Sequence, residues 1–154
     1  MKLFALSLVS VFLSVATFAH DAPSDGVLVF PQAAQHAHLH WVTPPNANQE
    51  AVLDMQWMNN SPHAPAEPNG TFTAQLWMPA MGHGSSPITI QHLNDAQGQP
   101  QPGAFRISKM YFIMDGAWEV RFTLTHADGT KETQAFAVNV GAGMADGAPE
   151  VDAQ

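Results

Sequence analysis

The stretch Trp118-Glu119-Val120-Arg121-Phe122-Thr123-Leu124 decides the fold class. Trp118, Val120, Phe122 and Leu124 alternate with charged or polar residues, the period of a strand with one buried face. Working outward, the same period recurs. Leu53, Met55 and Trp57 alternate with Asp54 and Gln56, and Phe136, Val138 and Val140 repeat the pattern near the C-terminal end. Phe72, Ala74, Leu76 and Met78 face one way, with Thr71, Thr73, Gln75 and Trp77 opposite. Weaker versions run from Gly26 to Phe30, His36 to Thr43, Ile88 to His92 and Phe105 to Met114. In the last, both parities carry apolar side chains: Met110, Phe112 and Met114 on one, Phe105, Ile107, Tyr111 and Ile113 on the other. Alternation alone does not choose its buried face.

Turn chemistry punctuates these runs. Asp115-Gly116 and Asp128-Gly129 are short hairpin signals, the first predicting that Phe112-Ile113-Met114 pairs with the strand from Trp118. A Pro-rich loop is expected from Asn60 to Gly70, and a Gln/Gly/Pro loop from Asp95 to Gly103. No sustained helical period follows the N-terminal segment. About seven or eight short strands then predict an all-β, two-sheet antiparallel sandwich.

Residues 1–19 have one positive charge at Lys2, an apolar run to Leu13, and small residues at Thr17 and Ala19. That is the form of a secretory signal, with cleavage expected after Ala19 and retention as an anchor the alternative. No cysteine follows the run, which argues against a lipid anchor. Taking 19 residues from 154 leaves 135, enough for one domain, expected at 20–140 with a disordered acidic tail at 141–154. Without Lys2 the chain has 4 basic residues against 13 acidic, a formal charge of −9. Such a surface repels nucleic acid and anionic lipid, and attracts cations.

Three segments carry chemistry. Met78-Pro79-Ala80-Met81-Gly82-His83-Gly84 places two thioethers and an imidazole on a loop stiffened by Pro79. Thioethers favour Cu(I), and imidazole accepts copper in either oxidation state. Met114, beside Asp115-Gly116, falls at a strand end that the loop can approach; Met55 and Met58 are weaker candidates. In His36-Ala37-His38-Leu39-His40, residues two apart share one strand face, so His36, His38 and His40 form a row, of which adjacent members can converge on one ion. Cleavage after Ala19 would expose His20, whose amine and ring together suit square-planar Cu(II). His63, His92 and His126 are isolated in the sequence. Hydrolase elbows, phosphate-binding loops, His-Glu-x-x-His and nucleophilic cysteine are all missing, so no enzymatic activity is expected.

The pair Leu76-Trp77-Met78-Pro79-Ala80-Met81-Gly82-His83-Gly84 and Tyr111-Phe112-Ile113-Met114-Asp115-Gly116-Ala117-Trp118-Glu119-Val120 resembles the YtkA-like domain, itself similar to FixH-type accessory proteins. The match runs from about Val52 to Val140. It implies an immunoglobulin-like sandwich, exported from or anchored to the bacterial membrane, with links to copper handling and respiratory-oxidase assembly. Met78, Met81, His83 and Met114 fall on its motif, with Gly116 and Trp118 in structural roles. The histidine row lies outside the signature. The expectation is therefore a periplasmic copper-binding protein that delivers or sequesters the metal. Its ligands would be Met81 and His83 first, then Met78 and Met114, for Cu(I). A separate Cu(II) or Zn(II) site would use His36, His38 and His40, with His20 as a further candidate. An envelope protein receiving copper is the expected partner. The alternative is a non-metal immunoglobulin-like module docking on an envelope or respiratory-assembly protein.

Overall fold

The computed structural model describes residues 25–141. Residues 1–19, expected to be a signal, His20 and the expected tail beyond 141 lie outside the described residues. Ten strands occur in chain order: β1 (Gly26–Phe30), β2 (Gln35–Thr43), β3 (Glu50–Asn60), β4 (His63–Pro65), β5 (Thr71–Met78), β6 (His83–Gly84), β7 (Thr89–Asn94), β8 (Pro100–Tyr111), β9 (Gly116–Thr125) and β10 (Lys131–Val140). All neighbours pair antiparallel, and the described residues contain no helix. The larger sheet has the order β1-β2-β3-β8-β7, with β4 also pairing β3; the smaller has the order β10-β9-β5-β6.

The all-β expectation holds because the alternating runs bury the faces that their periods select. Leu53, Met55 and Trp57 of β3 share one core with Leu76 of β5, Trp118, Val120, Phe122 and Leu124 of β9, and Val138 and Val140 of β10. Aromatic rings join the two sheets: Trp57 lies 5.5 Å from Phe72, and Phe72 meets Phe105 edge-on at 4.9 Å. Each fully buried side chain of this size contributes roughly 1.5–3 kcal/mol of apolar transfer. On the outer face of the larger sheet, Asp54 is buried and accepts two hydrogen bonds from Arg106, both 2.8 Å. These bonds hold the Arg106 guanidinium's pKa above its ordinary value.

Ten strands form where about seven or eight were expected, and the loop expected from Asp95 to Gly103 ends early because β8 begins at Pro100. Two further local expectations need correction. Asp115-Gly116 does not close a hairpin, because β8 belongs to the larger sheet and β9 to the smaller. The segment crosses between sheets, with Phe112 and Trp118 meeting edge-on in the core at 5.6 Å. Trp118 Nε1–H donates to the Met114 carbonyl at 3.0 Å and anchors the crossing. Gly116, at φ 132°, lies where a Cβ would stand 2.8 Å from Met78 Cε. The Asn60 to Gly70 segment, read as a loop, contains β4, too short at three residues to show alternation.

The ambiguous run from Phe105 obeys both parities in turn. Phe105 and Ile107 are buried, then Met110 and Phe112. Between them the register against β3 shifts, Leu53 facing Ile107 but Ala51 facing Met110. Lys109 sits in this bulge at φ 57°, its amide donating to Glu50 Oε1 at 2.8 Å. A left-handed L-residue costs about 1–2 kcal/mol, and a β-branched one more. Lys109→Gly is therefore expected to leave stability unchanged or raise it by up to about 1 kcal/mol, and Lys109→Val to lower it by at least about 1 kcal/mol. Urea denaturation midpoints of the two variants check this; equal midpoints would contradict the strained bulge.

Candidate metal centre

Strand β2 lies between β1 and β3, and its pleat sends Gln35, Ala37 and Leu39 into the interior. His36, His38 and His40 consequently share the outer face, as alternation requires. Gln35 holds the strand end in place: its amide nitrogen donates to Asn59 Oδ1 at 3.1 Å and to the Glu67 carbonyl at 2.8 Å.

The tertiary structure divides this row. His36 and His38 meet edge-on with ring centroids 5.1 Å apart. The turn after Asn60 folds β4 back along β3, so that His63 pairs with Asn60 and its ring comes within 4.9 Å of His36. One ring nitrogen from each of His36, His38 and His63 lies within 4.8 Å of the other two. His40 turns toward β1 instead, its Nδ1 3.3 Å from Asp25 Oδ2, with the side chain 63% exposed. Asp54, opposite His40 in register, is already engaged by Arg106. His63 is isolated in the sequence, and its place here depends on a turn that brings three further residues onto the sheet.

Chemically, the three-imidazole group is neutral when unprotonated and contains no carboxylate. Metal–nitrogen bonds of about 2.0–2.1 Å at a tetrahedral centre put donor atoms about 3.4 Å apart. Closing on an ion thus requires the widest pair to move together by roughly 1.4 Å, within reach of side-chain rotation at the surface. His36 Nδ1 lies 2.7 Å from Asn60 Oδ1. An amide oxygen only accepts, so Nδ1 carries the hydrogen and Nε2 is left for an ion.

The Met/His segment forms the opposite kind of surface. Met78 ends β5, is 6% exposed and belongs to the core cluster. Across the hairpin Met78 is in register with His83. Met81 and Gly82 amides both donate to the Met78 carbonyl, at 3.1 and 3.0 Å, closing a tight turn with Gly82 at φ 67°. Met81 projects from the turn at 57% exposure, and Met114 on the sheet crossing is exposed at 36%. His83 is half-buried, with Nδ1 3.1 Å from the Gly84 carbonyl. Ser85 Oγ donates to the Tyr111 carbonyl at 2.7 Å, tying this segment to the end of β8. Strand phase therefore separates the four motif residues: Met78 packs inward, while Met81 and Met114 face solvent.

The remaining described histidines each lie beside a carboxylate. His92 packs 4.1 Å from the Phe105 ring and lies 3.5 Å from Glu67 Oε2; His126 Nε2 lies 3.6 Å from Glu132 Oε2. No protein-family model matches the chain, and no curated protein matches it.

Proposed function

We propose that this is a copper-binding protein of the cell envelope, holding the metal on the outer face of its larger sheet for delivery or sequestration. The observation that carries the reading is the convergence of His36, His38 and His63, each with a ring nitrogen within 4.8 Å of the others. Clustered imidazoles have few structural uses on an outer sheet face, and as ligands they suit copper and zinc. The N-terminal signal-like segment and the acidic composition support export and cation attraction. An immunoglobulin-like sandwich of the YtkA-like kind, with Met81, His83 and Met114 as a second Cu(I) station, belongs to the same proposal. A competing role as a docking module draws support from Met81, Tyr111, Ile113 and Met114, all exposed on the segments that Ser85 ties together.

Chelation followed by reloading with Cu(II) and desalting is expected to leave one equivalent or more of copper on the protein. Complete loss on desalting would favour the docking reading. Proton competition adds a further expectation, since imidazole binds metal only when neutral. Cu(II) and Zn(II) affinity should fall at least tenfold as pH drops from about 7 to about 5, because protons compete for the same ring nitrogens. Calorimetric titration at the two pH values measures this. A pH-independent affinity would assign the metal to other ligands.

A further inference from the structure

Met58 occupies a place that core packing does not explain. Its strand, β3, sends Leu53, Met55 and Trp57 into the shared core, and Asn59 follows the same parity, accepting from the inward Gln35. Met58 and Asn60 therefore fall on the outer face, where the Asn60 side chain meets His36. Yet Met58 is only 3% exposed, and it stands outside the core cluster. Other side chains on the outer face must cover it.

The strand register identifies them. Met58 is directly opposite His36 on β2 and Pro65 on β4. Directly opposed Cβ atoms in antiparallel strands are about 4.5–5.5 Å apart, and residues one step diagonal are about 7–8 Å away. The diagonal positions are His38 on one side, two residues from His36, and His63 on the other, two residues from Pro65. All three imidazoles of the metal centre thus surround one buried thioether.

We propose that Met58 supplies the fourth, sulfur ligand of this centre, so that the site takes copper with three nitrogens and one thioether. This rests on the reading of His36, His38 and His63 as a metal centre. Its chemical consequence is selectivity. Thioether sulfur is soft and stabilises Cu(I), whereas a zinc ion held by imidazoles gains little from it. Three imidazoles keep Cu(II) as well, so the ion stays bound when its oxidation state changes. The histidines give the site its affinity, and Met58 gives it its preference for copper over zinc.

The test compares Met58→Leu with the unaltered protein, because leucine keeps the buried volume while removing sulfur. Cu(I) affinity, measured against a chromogenic Cu(I) chelator, should fall at least tenfold; Zn(II) affinity should stay within twofold. X-ray absorption of a Cu(I)-loaded Met81→Leu, Met114→Leu double variant, which lacks the thioethers of the second station, should show a sulfur neighbour that disappears when Met58→Leu is added. Should Met58→Leu fold poorly, selenomethionine labelling of that double variant substitutes for it, with copper–selenium scattering as the readout. Unchanged Cu(I) affinity in Met58→Leu, or no copper–selenium scattering, overturns the assignment while leaving a histidine-only centre. An unaltered protein that binds neither Zn(II) nor Cu(I) at neutral pH overturns the metal centre itself, and this proposal with it.

Discussion

Replacing His36 and His63 together by Ala is expected to lower Cu(II) and Zn(II) affinity at least a hundredfold, about 2.7 kcal/mol, whereas His40→Ala should change it less than twofold. The contrast follows from position alone. His36 and His63 stack across β3 with ring centroids 4.9 Å apart, while His40 is drawn to Asp25 on the β1 side. All three rings lie on the surface of the sheet, away from the shared core. The double variant should therefore melt, without metal, within a few degrees of the unaltered protein. Competition titration with a metal-sensitive dye measures the affinities. If His40→Ala proved as damaging as the double variant, the ion would sit farther along β2, and the three-histidine centre would be wrong.

The second large effect is on stability, at the motif where the sequence suggested metal ligation. Met78→Ala is expected to cost about 2–4 kcal/mol in the metal-free protein, the range for deleting a buried Met side chain. Met81→Ala should cost less than about 0.5 kcal/mol, as an exposed turn substitution does. Met78 is 6% exposed and its Cε lies close against Gly116, so truncation opens a void beneath the crossing between the sheets. The same crossing is anchored by Trp118, whose indole donates to the Met114 carbonyl. Loss of Met78 should therefore loosen Met114 too. Denaturant melts of the two single variants decide the matter. Equal, small losses would mean that Met78 is a surface ligand and not a packing residue.

Much of the fold was legible because alternation is a local property. The runs around Leu53, Phe72, Trp118 and Phe136 each state which side chains face the core, and they do so without knowledge of their partners. The run from Phe105 shows the limit of this signal. Its two parities are both used, and the switch depends on one left-handed residue, Lys109, whose conformation carries no mark in its side-chain type. Asp115-Gly116 shows another. A turn dipeptide announces a change of direction but not which sheet receives the next strand, and here the next strand belongs to the opposite sheet.

For the candidate site, the sequence by itself determined that β2 presents His36, His38 and His40 on one face, since side-chain direction on a strand follows from position parity. It also determined that Met78 shares the phase of Leu76. Only the tertiary structure decided which histidines meet. His63 is 25 residues beyond His38 in the chain, and it reaches the site through the pairing of β3 with β4. The same pairing, with that of β2 and β3, encloses Met58 under side chains from both neighbouring strands. Register is set by the cooperative matching of many side chains across strands. Which residues face each other across the sheet is thus a property of the whole packed structure, whereas the face each residue takes is already present in its own strand.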